Sequence, residues 1–201
     1  MRTGIFGGTF NPPHRGHAEA LRCFIRSAHL DRVFVIPSFL PPHKELPKKR
    51  AEFEDRFAMC KLAFSEHTEL CEVVFSDIER TLFLKSGEKN YTFKTLAELK
   101  KDSDDNFCLF VGTDMLLSFN SWKNVEYLLE NAELWVMPRG EESDCEIECE
   151  IKRLLEKHPD CSIYMINEEP LPASSTEVRA GCLSLIDERV REYIVSRGLY
   201  Q

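Results

Sequence analysis

The stretch MRTGIFGGTFNPPHRGHAEALR, residues 1–22, decides the fold because it reads as a strand, a tight turn and the start of a helix. Its apolar N-terminal run ends at Gly7 and Gly8, which let the backbone turn sharply and approach a ligand closely. The two prolines that follow hold the chain extended and exclude a helix until about Arg15. From there apolar residues recur at helical spacing, so the sequence predicts a β-strand followed by an α-helix.

Two histidines, His14 and His17, fall at the predicted start of this helix. Free N–H groups and the positive end of the helix dipole make such a position suitable for phosphate. The stretch contains neither G-x-G-x-x-G nor G-x-x-x-x-G-K-[ST], so it is not a dinucleotide fingerprint or a P-loop. A glycine turn followed by two ordinary surface histidines is the simpler alternative. The order of the whole stretch GGTFNPPHRGH favours a phosphate site instead.

The rest of the chain alternates short apolar runs with helical patterns. Further predicted strands are residues 33–36, 71–75, 107–111, 133–137 and 162–166. Such runs are typical of strands buried on both faces, and their alternation with helices predicts an α/β fold with a doubly wound parallel sheet. We expect a loop over residues 81–90 and solvated surface over the acidic run 141–150. Because no linker or repeat interrupts the chain, residues 1–201 are predicted to form a single domain, with a helical C-terminal end from about residue 170.

Composition limits the classes of function. The formal net charge is −8 and the pI is near 5.4, which argues against general nucleic-acid binding, since that needs a basic face. The eight cysteines include no C-x-x-C pair, so we expect reduced, mostly buried thiols and no metal site. No signal-peptide pattern and no apolar run of about 18 residues is present, so we expect a cytoplasmic protein that does not enter a membrane.

Three further loops carry candidate ligand-binding residues. The basic segment PPHKELPKKR follows the second strand and contains Lys44. A positive cluster at the end of a strand is suited to binding a triphosphate. For residues 48–50, a run of solvated charges is the alternative. Gly112 and Asp114 directly follow the fourth apolar run, where open parallel sheets bind ligands, although Asp114 is also a candidate N-cap. Arg139 follows the fifth run and is the cation expected to reach ATP there.

The stretch ASSTEVR, residues 173–179, predicts another helix start, because Ser174 and Glu177 have the spacing of a capping box. A well-capped structural helix is the simpler alternative. Arg179, however, would place a cation in the first turn, against the helix dipole. A bound phosphate resolves this conflict by pairing with Arg179, the helix N–H groups and the neighbouring hydroxyls together.

Two motifs, GGTFNPPHRGH and SSTEVR, resemble the signatures [HT]-x-G-H and [IS]-S-x-T-x-[IR]-R of the nucleotidyltransferase superfamily. PPHK, and a Tyr-Thr pair preceded by D-x-E, resemble segments of one branch, the bacterial nicotinate mononucleotide adenylyltransferases. The resemblance spans the chain, with Ala173 where isoleucine is usual. It implies a Rossmann-like nucleotidyltransferase fold and, in NAD biosynthesis, transfer of AMP from ATP to nicotinate mononucleotide by direct in-line attack.

The resemblance also implies roles for particular residues. The catalytic residues would be His14, His17 and Arg179. The ATP-binding residues would be Gly7, Gly8, Thr9, Phe10, His14, His17, Lys44, Gly112, Asp114, Arg139, Ser175, Thr176 and Arg179. The residues in contact with nicotinate mononucleotide would be Lys44, Tyr91, Thr92, Asp114 and Trp122. Mg²⁺ would arrive with ATP, held by phosphate oxygens and water rather than by a protein cage.

Several alternatives stay open. Nicotinamide mononucleotide as the acceptor would keep the same chemistry and differ by one carboxamide group. A non-catalytic nucleotide-binding regulator with this fold is a second alternative, although the intact HRGH and SSTEVR count against it. Thr92 is also a candidate N-cap, and Trp122 a candidate packing residue. A homo-oligomer is compatible with the sequence, whereas nucleic-acid and membrane partners are not expected.

Overall fold

The structure, a computed structural model, describes residues 1–40, 51–138, 144–168 and 171–200. Within these residues a single parallel sheet has the strand order β3-β2-β1-β4-β5-β6. The strands are β1 Arg2–Gly8, β2 Arg32–Pro37, β3 Glu72–Phe75, β4 Asn106–Gly112, β5 Ala132–Met137 and β6 Ile163–Met165. Each strand after β1 agrees with its predicted range to within one residue at either end, and the predicted doubly wound α/β fold is confirmed.

Helices connect the strands and cover both faces of the sheet. They are α1 Arg15–Ser27, α2 Phe53–Phe64, α3 Ile78–Ser86, α4 Thr92–Leu99, α5 Thr113–Leu117, α6 Val125–Asn131, α7 Asp144–Lys157, α8 Ser175–Arg179 and α9 Glu188–Arg197. Adjacent residues of β1 belong to opposite apolar layers: Phe6 shares a buried cluster with Phe24 of α1, and Ile5 shares another with Leu96 of α4. The sheet therefore lies between two helical layers.

The crevice for a ligand opens where the strand order reverses, between β1 and β4. Pairing of β1 with β2 continues to Gly8 and Pro37, whereas pairing with β4 ends at Ile5 and Leu109. Beyond this last pair β1 continues to Gly8 beside β2 and β4 continues to Gly112 beside β5, so the two strands separate. This register places the turn at the crevice.

The C-terminal helices pack on α2. Val178 of α8 and Val190 and Ile194 of α9 share one apolar cluster with Met59 of α2. Tyr193 of α9 adds a polar contact, since its hydroxyl donates to an oxygen of Asp55 on α2 at 2.9 Å. The C-terminal part of the chain is thereby held beside the element that follows the basic segment.

One predicted loop is partly a helix. Residues 81–90 were expected to be irregular, but α3 extends to Ser86 and ends at Gly87 in the left-handed conformation, with φ 69°. None of its residues is fully buried, so the sequence lacks the apolar stripe that marks a packed helix.

The acidic run is not all solvated surface. From Asp144 onward it forms α7, while residues 141–143 lie outside the described part of the chain. Glu150 is buried and accepts a hydrogen bond from Asn120 Nδ2 at 2.6 Å. Its partner comes from a segment 30 residues earlier, and sequence spacing does not reveal such a pair.

The thiols are less buried than expected. Cys23 and Cys60 are buried in the core, but Cys145, Cys149 and Cys182 are exposed. Cys145 and Cys149 lie one turn apart on the solvent side of α7. The described helices include none with the length and apolar character needed to cross a bilayer.

Candidate active site

The turn after β1 is fixed by an arginine that binds its backbone. Arg56 on α2 donates from Nη1 to the carbonyl oxygen of Thr9 and from Nη2 to that of Ser38, both at 2.7 Å. Phe10, within the turn, has φ 46° and is buried, with its ring stacked on Phe6 at 5.7 Å between centroids. A left-handed aromatic residue is strained, so the surrounding packing and hydrogen bonds determine this turn.

The two predicted histidines cap the start of α1 together. His14 is the N-cap, and its Nδ1 accepts from the backbone N–H of His17 at 3.3 Å. His17 Nδ1 accepts from the backbone N–H of His14, also at 3.3 Å. The imidazole centroids lie 3.7 Å apart, and Phe10 packs edge-on against His17 at 5.1 Å.

This arrangement sets the tautomer of both rings. A backbone N–H can only donate, so each Nδ1 that accepts from one carries no proton. A neutral imidazole then carries its proton on Nε2. His14 and His17 thus each present an Nε2–H donor, which suits phosphate oxygens. The reciprocal cap is the local reason for the H-x-x-H spacing in this sequence.

The second motif forms α8, with Ser174 as its N-cap as predicted. The helix spans five residues, so Arg179 lies in its last turn, where a cation is favourable. The expected conflict with the dipole is therefore wrong. Arg179 Nη1 instead donates to the carbonyl oxygen of Asn11 at 2.6 Å, and Ser175 Oγ donates to that of Pro12 at 2.8 Å. The motif at one end of the chain thus binds the turn at the other.

A cavity of about 390 Å³ lies between the glycine turn, α1, α5 and α8. The predicted ATP-binding residues that line it are Gly7, Gly8, Thr9, Phe10, His17, Gly112, Asp114, Ser175, Thr176 and Arg179. His14 is buried behind this wall, in contact with His17. Lys44 and Arg139 lie outside the described residues. We call this space the donor cavity.

A second cavity, of about 490 Å³, lies on the other side of the glycine turn. Tyr91, Thr92, Asp114 and Trp122, predicted to bind the acceptor, all line it. We call it the acceptor cavity. Tyr91 is the N-cap residue of α4 and Thr92 its first residue, so the alternative of Thr92 as the N-cap is wrong.

The two cavities share one wall. Gly7, Gly8, Thr9 and Asp114 line both of them. Gly112 is the N-cap residue of α5, so the alternative that Asp114 serves as the N-cap is also wrong. Asp114 lies in the first turn of α5 at the junction of the two spaces. Ligands in both cavities would therefore meet beside the glycine turn.

Several polar residues of the acceptor cavity were not predicted, and Glu79, Asn90 and Lys123 are three of them. Burial raises the pKa of the Glu79 carboxyl, although a hydrogen bond from the backbone N–H of Phe39 at 3.0 Å and one from Asn90 counteract it. Lys123 Nζ lies 5.5 Å from the centroid of the Tyr91 ring. Only the D-x-E pattern before the Tyr-Thr pair pointed toward Glu79.

Protein ligands for a metal are sparse at this site. Within the described ranges, no group of three or more His, Cys, Asp or Glu side chains is placed to hold an ion. Asp114 is a carboxylate that faces both cavities. One carboxylate together with phosphate oxygens is a common arrangement for Mg²⁺.

A larger cavity, of about 690 Å³, contains almost none of the predicted site. It shares His14 and Leu171 with the surroundings of the donor cavity and is otherwise lined by residues such as Arg22 and Glu66. Arg22 is already paired with Glu19. Size alone therefore does not identify the candidate active site, whereas the convergence of both motifs does.

The sequence matches the cytidylyltransferase-like family over residues 5–181. A probable nicotinate-nucleotide adenylyltransferase of Leptospira interrogans is 32% identical over 206 residues, which cover 98% of this chain and 96% of that protein. A protein with the same name from Serratia proteamaculans is 30% identical over 216 residues, which cover 98% of this chain and 94% of that protein.

Solved structures agree on the fold. The nicotinic acid mononucleotide adenylyltransferase of Plasmodium falciparum complexed with NaAD matches with a TM-score of 0.76 at 21% identity, covering 99% of this chain and 97% of that one. The same enzyme complexed with APC matches with a TM-score of 0.72 at 22% identity, covering 99% and 96%. The family match and the bacterial relatives confirm the resemblance carried by the motifs: this chain belongs to the cytidylyltransferase-like family and, within it, to the nicotinate-nucleotide adenylyltransferases.

Proposed function

We propose that the chain transfers the adenylyl group of ATP to nicotinate mononucleotide, giving nicotinate adenine dinucleotide and pyrophosphate. The observation that carries this proposal is the wall shared by the donor and acceptor cavities at the glycine turn and Asp114. Two nucleotides bound on either side of that wall would bring their phosphates together. Family membership and the names of the bacterial relatives support the choice of substrates.

The reaction needs alignment more than a protein nucleophile. An oxygen of the acceptor phosphate forms a bond to the α-phosphorus of ATP, while the bond from that phosphorus to the bridging oxygen breaks and pyrophosphate leaves. The attacking group is already ionised, so no covalent enzyme intermediate is required. Catalysis then consists of in-line positioning and neutralisation of charge on the phosphoryl oxygens. The Nε2–H groups of His14 and His17 are the donors proposed for that charge.

The opposite end of the donor cavity would receive the leaving group. Ser175, Thr176 and Arg179 line it, and a guanidinium has five N–H donors. Two donor groups of Arg179 bind Asn11 and Thr176, so further N–H groups can bind the β- and γ-phosphates. Lys44 and Arg139 remain proposed contacts for the nucleotides.

Mg²⁺ bound to ATP is the proposed cofactor. Phosphate oxygens and water would supply most of its ligands, and Asp114, which lines both cavities, would add a carboxylate oxygen. The ion would neutralise charge on the departing pyrophosphate.

The proposed partners are the two nucleotides, and neither nucleic acid nor a membrane is among them. Assembly into a homo-oligomer is compatible with this proposal. The free thiols support a reducing compartment such as the cytoplasm.

The acceptor cavity has the polarity expected for a pyridine nucleotide. Tyr91 and Trp122 offer aromatic surface for the ring, and Thr92 offers a hydroxyl and a backbone N–H at a helix start. Lys123 adds positive charge at the same cavity, which favours a nicotinate carboxylate over a carboxamide.

Pyrophosphate release from MgATP tests the proposal, with nicotinate mononucleotide and nicotinamide mononucleotide compared as acceptors and the product identified by mass. We expect pyrophosphate release to be much faster with nicotinate mononucleotide than with nicotinamide mononucleotide. Faster release with nicotinamide mononucleotide would support the same reaction but would show that the acceptor was assigned wrongly. ATP binding without release with either acceptor would contradict the enzyme and favour a nucleotide-binding regulator.

A further inference from the structure

We propose that Tyr200, at the C-terminal end of the chain, positions the phosphate-binding turn through Asn11. Tyr200 Oη lies 2.8 Å from Asn11 Oδ1 across 189 residues of sequence. Tyr200 is not among the residues that line the donor cavity, so it is a positioning residue rather than a catalytic one. The inference rests on the proposed function only where turnover is measured.

The Asn11 side chain is a junction between distant segments. Asn11 is 3% exposed, and its Oδ1 also accepts from the backbone N–H of Ala51 at 3.1 Å. Because that N–H can only donate, the oxygen of the amide must face it, which fixes the orientation of the side chain. Tyr200 must then donate its hydroxyl proton to the same oxygen. Ala51 is the first described residue after the basic segment 41–50.

The backbone of Asn11 links the same junction to the second motif. Its carbonyl oxygen accepts from Arg179 Nη1 at 2.6 Å. Asn11, in the turn after β1, therefore contacts three other segments. They are the C-terminal tail, α8 and the residue that follows the basic segment. Asn11 lines the donor cavity, so a shift of this junction displaces part of the cavity wall.

The tail is held in a specific conformation. Gly198 ends α9 with φ 60°, and Leu199 N–H donates back to the carbonyl oxygen of Ile194 at 3.0 Å. Tyr200 itself has φ 65°, which a non-glycine residue adopts only where its surroundings stabilise it. This reversal directs the Tyr200 side chain toward Asn11.

The surroundings keep the Tyr200 hydroxyl protonated. Burial raises its pKa, although the guanidinium groups of Arg56 and Arg179 lie near enough to favour the phenolate. These two arginines bind the carbonyl oxygens of Thr9 and Asn11. Tyr200 therefore donates to the turn close to both cations that bind the backbone of the turn.

The test compares Tyr200→Phe with a matched control, Tyr193→Phe. Each change removes one hydroxyl that hydrogen-bonds across the fold, but Tyr193 donates to Asp55 on α2 and not to the turn. Melting temperature, MgATP affinity by calorimetry, and kcat and KM with nicotinate mononucleotide would be measured on the full chain. A purely structural role of Tyr200 would change only the melting temperature, as in the control.

We expect Tyr200→Phe to weaken MgATP binding and to lower kcat, each about fivefold, with KM for the acceptor within twofold of wild type. Tyr193→Phe should leave the MgATP affinity and kcat within twofold of wild type. Equal affinities and equal kcat values in the two variants would overturn the proposal. If the wild-type chain binds MgATP but releases no pyrophosphate, the proposed function fails, and the affinity comparison still decides the role of Tyr200.

Discussion

His14 and His17 each accept, through Nδ1, the backbone N–H of the other, so the same two rings that would bind phosphate also cap α1. A capping box normally pairs Ser or Thr at the N-cap with Glu or Gln three residues later. The use of two imidazoles leaves an Nε2–H on each ring, and His17 lines the donor cavity while His14 lies buried behind it. Stability and catalysis are therefore coupled at this helix start, and an alanine substitution affects both.

Substitutions that preserve the cap separate the two roles. His14→Asn keeps an N-cap acceptor and His17→Gln keeps a capping-box partner, but both lack the imidazole donor. We expect each to lower kcat by about 10²–10³-fold, the usual effect of removing one donor to developing charge. Both should melt near the wild-type temperature. His17→Ala should abolish turnover while the chain still folds.

The exposed His29, which has φ 48°, provides the control. His29→Asn keeps a residue that tolerates a left-handed conformation, and its kcat should equal that of wild type. Wild-type turnover in His17→Ala or His17→Gln would exclude His17 as a catalytic donor, and wild-type turnover in His14→Asn would exclude His14.

The two glycines of the turn should respond differently to alanine. A Cβ at Gly8 would lie 2.8 Å from the buried Phe10 ring, whereas one at Gly7 would meet only the carbonyl oxygen of Ile36 at 3.9 Å. Gly8→Ala should therefore cost about 1–3 kcal/mol of stability, measured by urea unfolding. Gly7→Ala should fold normally but weaken MgATP binding, because its methyl group occupies space beside both cavities. Equal unfolding free energies for the two variants would contradict this.

The strands and the starts of α1 and α8 at the two motifs were predictable because their signals are local. The turn after β1 combines glycines, prolines and histidines within a few residues, and Ser174 with Glu177 marks the start of α8. Buried strands are continuous apolar runs, so their bounds were nearly correct. Helix α3 gave no such signal, because it packs without a fully buried residue.

The parts of the site that were missed depend on contacts between distant segments. Asn11 joins Ala51 and Tyr200 through single hydrogen bonds, which leave no periodicity or spacing in the sequence. Glu79 faces the acceptor cavity because α3 is a helix, so the error over residues 81–90 also concealed this residue. Arg179 was predicted as a site residue and lines the donor cavity, but its partner Asn11 could not be inferred.

Trp122 should affect the acceptor and not ATP. It lines the acceptor cavity and packs on Phe119 with ring centroids 5.0 Å apart. Trp122→Leu should raise KM for nicotinate mononucleotide about tenfold, since stacking on a base is worth about 1–3 kcal/mol, while KM for ATP stays within twofold. The other tryptophan, Trp135, is the control: Trp135→Leu should lower the melting temperature without changing either KM. A rise in KM for ATP with Trp122→Leu would argue for a packing role.

Lys123 should contribute to the choice between acid and amide. Its side chain is exposed, so its charge is partly screened, and we expect Lys123→Gln to lower the ratio of kcat/KM for nicotinate mononucleotide over nicotinamide mononucleotide about threefold at low salt. The difference in this ratio between wild type and Lys123→Gln should become smaller at about 0.5 M salt. Lys94→Gln is the control, because Lys94 pairs with Glu88 at 2.8 Å and does not line the cavity. An unchanged ratio at low salt would exclude Lys123 as a determinant.

Asp105 should make stability depend on acid pH. It accepts from Thr3 Oγ1 at 2.5 Å and from Arg32 Nη2 at 2.6 Å, and the Thr3 hydrogen bond is the largest of the contacts that hold its pKa well below the usual range. The folded state therefore favours the carboxylate, and this stabilisation is present above the unfolded pKa of about 4 and lost as pH falls further. Asp105→Asn should lower the melting temperature by about 2–4 °C at pH 7, and the difference from wild type should diminish below about pH 4. Asp104→Asn, which changes an exposed neighbour, is the control and should melt at the wild-type temperature. If Asp105→Asn lowers the melting temperature equally at every pH, the amide destabilises the fold for steric reasons and the prediction is wrong.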